Sequence, residues 1–191
     1  MQPSSEITQP TTGGERKKPS KIIGFVVWIV LLVLLAGGAF YFSNHYLVRW
    51  PIDGESMSPT LSNQDNVLLF KTQNVKRGDV IIFLHTPANK YFVKRVIGVG
   101  GDVITSVYDE EKLCFHVYRN GEPVDESTIK EPMYASGSWK EATWTVPEGK
   151  YYVLGDNRNH SNDSQDGYFV DKSEICGIVF MKVKPTLKII K

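Results

Sequence analysis

A serine in a turn-prone segment is the first residue whose surroundings suit a catalytic nucleophile. Ser56 lies in residues 54–61, between Gly54 and Pro59. Glycine permits unusual backbone angles and proline disfavours helix at the residue before it, so this segment is not expected to be helical. A hydroxyl on a constrained loop suits a nucleophile, although an ordinary turn has the same composition.

A lysine within an apolar strand is the second residue whose surroundings suit catalysis. Lys94 lies 38 positions after Ser56, and period-two alternation places Phe92, Lys94 and Val96 on one face. Such a lysine either extends its ammonium to solvent or is buried, and burial lowers its pKa. A neutral amine near a serine hydroxyl can accept its proton, which is serine–lysine catalysis.

A dense polar loop, residues 155–164, follows the apolar run 151–154. Its composition fits a solvated loop of turn formers. It equally fits a hydrogen-bonding network that holds a catalytic base in place on a rigid scaffold.

The N-terminal fifth differs from the rest of the chain. Residues 1–21 form a polar tail, predicted to be disordered, that ends in a basic cluster; residues 22–43 are uncharged and long enough to span a bilayer as a helix. The positive-inside bias predicts a cytoplasmic N-terminus and an extracytoplasmic domain at 44–191. The alternative is a cleaved signal peptide, because residues 36–39 are small, but the apolar run continues past them.

Short apolar runs separated by turn signals fill the remainder. They lie at 66–70, 80–84, 91–99, 103–108, 113–118, 143–146, 151–154 and 178–183, with a hairpin signal at Asn120-Gly121 and a helical pattern only near 171–175. This spacing predicts a mostly β, antiparallel domain. The more polar stretch from about 105 to 145 is expected to form a smaller inserted lobe.

Composition excludes several classes of function. The formal net charge of the 191 residues is +1, which argues against a nucleic-acid partner. The four histidines are scattered and the two cysteines lack CxxC spacing, so we predict neither a metal site nor a cofactor. Cys114 and Cys176 can pair outside the cell, but the apolar run around Cys176 favours a buried free thiol.

Taken together, these segments resemble type I signal peptidases, the membrane-anchored serine–lysine proteases that cut signal peptides from exported proteins. The resemblance covers nearly the whole chain after the tail, and its length and spacing resemble the Gram-positive branch. Its motifs, in order, are SMSPTL at 56–61, GDVIIF at 78–83, KRVIG at 94–98 with Gly101-Asp102, and GDNR at 155–158 with Ser161, Asp163 and Ser164.

The resemblance assigns roles to individual residues. Ser56 is the implied nucleophile, Lys94 the general base and Ser161 the hydroxyl that orients the lysine. The Ser56 backbone N–H is one oxyanion donor; some relatives add a serine hydroxyl two residues earlier, where this chain has Gly54. The implied structural ion-pair partners are Arg95, Asp156, Arg158 and Asp163.

The resemblance also implies the substrate pocket. Small apolar walls would select Ala-X-Ala before the cut, because larger side chains clash. Met57, with other apolar residues near the dyad, is further expected to dock onto lipid. The implied substrate-binding residues are Ile52, Asp53, Gly54, Met57, Leu61, Phe92 and Val93.

One position departs from the family pattern. After Asp163-Ser164 the family usually has an arginine, and this chain has Gln165. The missing cation would have balanced Asp163, so the ion-pair network of the loop is in question and a divergent paralogue with a narrower substrate set is suggested.

The function implied is removal of signal peptides from exported preproteins at the cell membrane. The implied partners are preproteins and membrane lipid, with the secretion translocon or pilus subunits as further candidates. Alternatives are a specialised peptidase for pilus or conjugation subunits, a silent assembly factor on the same fold, and a secreted binding protein.

Overall fold

The computed structural model describes residues 21–134, 139–184 and 187–190. Residues 1–20 of the tail predicted at 1–21 therefore lie outside the described residues, and Lys21 begins the helix. One helix, α1 (Lys21–Tyr46), contains the predicted apolar span and none of its residues is buried. Across the described ranges it is the one helix long and apolar enough to cross a membrane, since its 26 residues extend about 39 Å.

Short β-strands form the rest of the described chain. In chain order the first seven are β1 (Leu47–Pro51), β2 (Asn66–Phe70), β3 (Val80–His85), β4 (Lys90–Val99), β5 (Val103–Asp109), β6 (Cys114–Arg119) and β7 (Glu122–Pro123). The remaining strands are β8 (Met133–Tyr134), β9 (Ala142–Thr145), β10 (Lys150–Leu154), β11 (Val170–Asp171), β12 (Ile175–Lys184) and β13 (Lys188–Ile189).

The larger sheet is antiparallel and has the strand order β1-β2-β12-β3-β4-β10-β11, with β13 added to β12. Strand β4 pairs with β3 along residues 90–95, whereas β10 pairs with β4 only from Arg95 onward. Among the described strands, residues 90–94 of β4 therefore have one edge without a partner. An unpaired edge can accept an additional strand.

A second antiparallel sheet, with the order β7-β6-β5-β9 and β8 added to β6, is built from the segment 103–145. The Asn120-Gly121 hairpin signal joins β6 to β7, and both residues have positive φ, 55° and 85°. Two consecutive positive φ values are what the tight hairpin turn requires. The mostly β, antiparallel fold after one N-terminal apolar helix is as predicted.

Burial explains how the larger sheet holds the segment that carries Ser56. Met57 and Leu61 are 1% and 0% exposed and pack into the same apolar cluster as Val67, Ile82 and Val179. Burying a large apolar side chain contributes about 1.5–3 kcal/mol. These two side chains therefore anchor the loop on the core while Ser56, between Glu55 and Met57, stays half-exposed.

Candidate active site

The loop serine and the strand lysine meet in the folded chain. Lys94 Nζ lies 2.7 Å from Ser56 Oγ and 3.0 Å from the carbonyl oxygen of Val93. As an ammonium, the lysine donates to both oxygens. Once neutral, its lone pair can accept the Ser56 hydroxyl proton, so the distance suits proton transfer between nucleophile and base.

Lys94 is buried, so its amine does not extend to solvent, which was the other position predicted for this side chain. The residue is 3% exposed, and Nζ lies 5.3 Å from the centre of the Phe92 ring. Burial lowers the pKa of Lys94 to about 8, while the negative charge of Asp163 acts in the opposite direction. Roughly a tenth of this amine is therefore neutral at pH 7, far more than for a lysine with its usual pKa.

Backbone hydrogen bonds fix the shape of the serine loop. The Ser58 N–H donates to the carbonyl oxygen of Glu55 at 3.0 Å, and the Asn157 N–H donates to that of Ser56 at 3.0 Å. Gly54 has φ +103°, where only glycine is relaxed, and its N–H donates to Asn63 Oδ1 at 3.2 Å. Glycine at 54 is thus a backbone requirement, and it contributes no side-chain oxyanion donor.

Asp156 connects the serine loop, the lysine strand and the loop between β7 and β8. Arg95 Nε and Nη2 each donate to its carboxylate at 2.8 Å, a buried bidentate pair. The Thr60 hydroxyl donates to the same carboxylate, and the Lys130 N–H donates to the Asp156 carbonyl oxygen at 2.9 Å. Removing either charge would leave the other buried without this opposite charge, which is costly.

Arg158 points away from the dyad into the smaller sheet. It is 1% exposed, its Nη1 lies 3.8 Å from Glu126 Oε1, and burial lowers its pKa. The opposite Glu126 oxygen lies 3.1 Å from His116 Nδ1. Glu126 is thus the described ion-pair partner of Arg158, which the sequence did not reveal.

Ser161 and Asp163 lie beside the dyad, but the structure shows no hydrogen bond between Ser161 and Lys94. Ser161 Oγ lies near the Asp163 carboxylate without a well-formed hydrogen bond to any described group. Burial raises the pKa of Asp163 to about 6, against the opposing effects of the Gly155 N–H, the Ser161 hydroxyl and Lys94. The lysine-orienting role of Ser161 stays a prediction.

Gln165 occupies the position where the family usually has arginine. It is buried, its N–H donates to Asp163 Oδ1 at 3.3 Å and its side-chain amide donates to the Ser161 carbonyl oxygen at 3.4 Å. In the described part of the chain, no cation lies within ion-pair distance of Asp163. The backbone N–H groups of Gly155 and Gln165 are its hydrogen-bond donors.

A cavity of about 350 Å³ opens beside the dyad. Four of the predicted substrate-binding residues line it, namely Ile52, Asp53, Phe92 and Val93, together with Asn162, which the sequence did not single out. Met57 and Leu61 lie in the buried cluster that includes Ile52 and contacts Val93. The expectation that Met57 docks onto lipid is wrong for this structure, because its side chain is 1% exposed.

Both cysteines are free thiols, as the apolar surroundings of Cys176 suggested. Cys114 is buried in β6 and Cys176 is half-buried in β12, so they belong to different sheets.

Replacing Asp163 with asparagine is expected to shift the acid limb of the pH–activity profile to lower pH. The Asp163 charge raises the pKa of Lys94, so a neutral side chain lets that pKa fall. Asparagine keeps an oxygen for the Gly155 N–H but turns its amide nitrogen toward the Gln165 N–H, so the thermal unfolding of the variant is measured alongside its activity. Steady-state kcat/KM from pH 6 to 10 measures the shift. Asp166→Asn is the matched control, since Asp166 is exposed in the same turn, and an equal shift in both variants would contradict the assignment.

Comparisons with known proteins identify the family of this chain. The family described as signal peptidase, peptidase S26, matches residues 22–184. Signal peptidase IB of Staphylococcus aureus (strain N315) is 32% identical over 176 residues, covering 83% of this chain and 88% of that protein. Signal peptidase I of Bacillus licheniformis is 31% identical over 180 residues, covering 85% and 90%.

A crystal structure of a signal peptidase I from Enterococcus faecalis V583 is 28% identical in sequence. It matches with a TM-score of 0.44 over 55% of this chain and 96% of that one. The family match covers far more than half of the sequence, and the two relatives each exceed 30% identity over more than four fifths of it. The chain therefore belongs to the signal peptidase family, peptidase S26.

Proposed function

We propose that this membrane-anchored peptidase removes signal peptides with a Ser56–Lys94 dyad. The observation that carries the proposal is the 2.7 Å distance between Ser56 Oγ and a buried amine whose pKa is lowered to about 8. A hydroxyl is a weak nucleophile at neutral pH, and a neutral base within hydrogen-bond distance is what activates it. The presence of both Ser56 and Lys94 argues against a catalytically inactive assembly factor.

The reaction follows from these positions. Neutral Lys94 takes the Ser56 proton as Oγ attacks the scissile carbonyl carbon, and the resulting ammonium gives that proton to the departing amine. The bond from carbon to the amine breaks and leaves an ester on Ser56. Lys94 then takes a proton from a water molecule, and the water oxygen attacks the ester and releases the cleaved signal peptide. The protonated Lys94 gives its proton to the departing Ser56 oxygen.

We propose that the substrate segment binds as an extended strand along the unpaired edge of β4. Residues 90–94 of that edge are free of described partners, and they lead directly to Lys94. The cavity beside them is lined by Ile52 and Val93, and the exposed Tyr91 ring makes an edge contact there with the half-buried Trp50 ring. We propose that the apolar walls formed by Ile52 and Val93 favour alanine at the positions before the cut.

The proposed topology follows from charge. The basic cluster before the apolar span supports a cytoplasmic N-terminus, with residues 44–191 outside, where signal peptides emerge. We propose exported preproteins as the clients. Parallel cleavage assays on preproteins and on pilus subunits distinguish this from a specialised pilin peptidase.

Activity is expected to rise with pH, with a midpoint near the Lys94 pKa of about 8. The neutral amine is the active form, so kcat/KM should climb about tenfold per pH unit below the midpoint and level off above it. The measurement is cleavage of a purified preprotein by the full chain in detergent from pH 5 to 10. A profile that stays flat down to pH 5 would contradict a lysine base.

A further inference from the structure

The peptide group between Glu55 and Ser56 determines where the Ser56 N–H points. A trans peptide is planar, and its C=O and N–H point in opposite directions. The Ser56 N–H donates to no described group, so it is available to a substrate oxygen. Whatever fixes the direction of the Glu55 carbonyl therefore also fixes the direction of this N–H.

Asn157 holds that carbonyl from the polar loop. Its side-chain Nδ2 donates to the Glu55 carbonyl oxygen at 3.0 Å, while its backbone N–H donates to that of Ser56 at 3.0 Å. One residue therefore contacts two consecutive carbonyl groups of the serine loop, and at the Glu55 oxygen its amide acts together with the Ser58 N–H. Asn157 is 2% exposed, so water does not compete for these contacts.

The orientation of the Asn157 amide follows from the same contact. Turning the amide over would place Oδ1 against the Glu55 oxygen, two acceptors about 3 Å apart with no proton between them. With Nδ2 toward Glu55, Oδ1 has no partner among the described groups. The bond to the Glu55 oxygen is thus the one described hydrogen bond of this buried side chain. Its donor is Nδ2, because the opposite orientation would bring two acceptors together.

We propose that Asn157 is a positioning residue for the oxyanion donor: by holding the Glu55 carbonyl, its amide aims the Ser56 N–H at the substrate oxygen that becomes negative. This rests on the proposed function, in which Ser56 attacks that carbonyl. The role matters more here than in relatives with a hydroxyl two residues before the nucleophile, because Gly54 offers none. A donor aimed in advance stabilises the transition state more than the bound substrate.

Asn157→Leu is the primary test, because leucine has a similar volume and no donor. We expect kcat to fall about 10- to 100-fold, less than the loss for deleting an oxyanion donor outright, with KM within about threefold. The midpoint of the pH profile should stay where it is in the unchanged protein, because Lys94 is untouched. A peptide boronate, whose adduct on Ser56 is tetrahedral, should lose affinity by the same factor as kcat, whereas the matching peptide amide should bind as before.

Asn159→Leu is the matched control. Asn159 lies two residues further along the same loop, and its amide donates to Glu131 and to the Pro132 carbonyl oxygen, not to the serine loop. It should change thermal stability without changing kcat. If the leucine variant does not fold, Asn157→Asp replaces it as the test, because aspartate keeps the shape of the side chain. Above pH 9 its ionised carboxylate has no donor, and kcat should fall while KM changes little.

Two results would overturn the inference. One is an unchanged kcat in whichever Asn157 variant folds. The other is an equal loss of affinity for the boronate and the peptide amide. In either case the unsubstituted full chain still cleaves preproteins and the dyad proposal stands, whereas an unsubstituted chain without cleavage activity would remove the proposed function itself.

Discussion

Ser56→Ala is expected to lower kcat/KM for preprotein cleavage by at least about 10⁴-fold. The change removes one oxygen atom from a half-exposed residue whose neighbours anchor the loop, so the fold should survive. Without that oxygen no ester can form, and Lys94 has no hydroxyl to deprotonate. The assay uses purified full chain in detergent with a preprotein substrate.

A serine-directed acylating inhibitor provides the control for this variant. It should label the unchanged protein at Ser56 and leave Ser56→Ala unlabelled. Full cleavage by Ser56→Ala would exclude the dyad, and labelling at any other serine would place the nucleophile elsewhere.

Lys94→Met should abolish cleavage to the same extent and, at neutral pH, make the protein more stable. A buried lysine whose pKa is lowered from 10.5 to about 8 costs about 3 kcal/mol of folding free energy below pH 8. Because the unfolded chain binds the extra proton, this cost fades as pH rises from 8 to 10.5. Methionine fills a similar volume without a charge.

The two readouts separate catalysis from folding. Urea unfolding at pH 7 should show the higher free energy of unfolding for Lys94→Met, and the difference should shrink at pH 10. If the variant is inactive and also less stable at pH 7, the buried amine stabilises the fold and its burial carries no net cost in folding free energy.

Most strands could be predicted because their hydrophobic runs are bounded by turn residues. Runs at 66–70, 80–84 and 151–154 coincide with β2, β3 and β10 to within one residue. The strand β1, at 47–51, was missed because it begins directly where α1 ends at Tyr46, with no loop between them. Two-residue strands such as β7 and β11 have no periodicity to detect.

The dyad could be proposed from residue types in motif order, but the residues around it could not. Asn157 bonds Glu55 across 102 positions, and Thr60 bonds Asp156 across 96. Neither contact leaves a mark in local composition, because a polar loop looks the same whether it is solvated or buried against another loop. The sequence also left Lys94 undecided between solvent and interior, since this depends on which loops cover β4.

Gly155→Ala is expected to reduce kcat/KM by at least about 10²-fold, because the site has no room for a methyl group. A Cβ at Gly155 would lie 2.4 Å from the Ser56 carbonyl oxygen and 2.4 Å from Ser161 Oγ. The first is a backbone atom, which cannot rotate away, so the serine loop must shift relative to Lys94. Misplacing a reacting group by about 1 Å is enough for a loss of this size.

Gly98→Ala is the matched control, because both glycines have ordinary backbone angles and both are tightly packed. At Gly98 the added carbon would meet the ends of the Ile104 and Val146 side chains at 2.9–3.3 Å, and these can adjust. We expect Gly98→Ala to lose about 1–3 kcal/mol of stability and to keep its activity. Gly155→Ala should lose activity even at temperatures where it is fully folded by circular dichroism. Equal activities in the two folded variants would mean that the serine loop tolerates displacement, and the 2.7 Å contact between Ser56 and Lys94 would then not limit the rate.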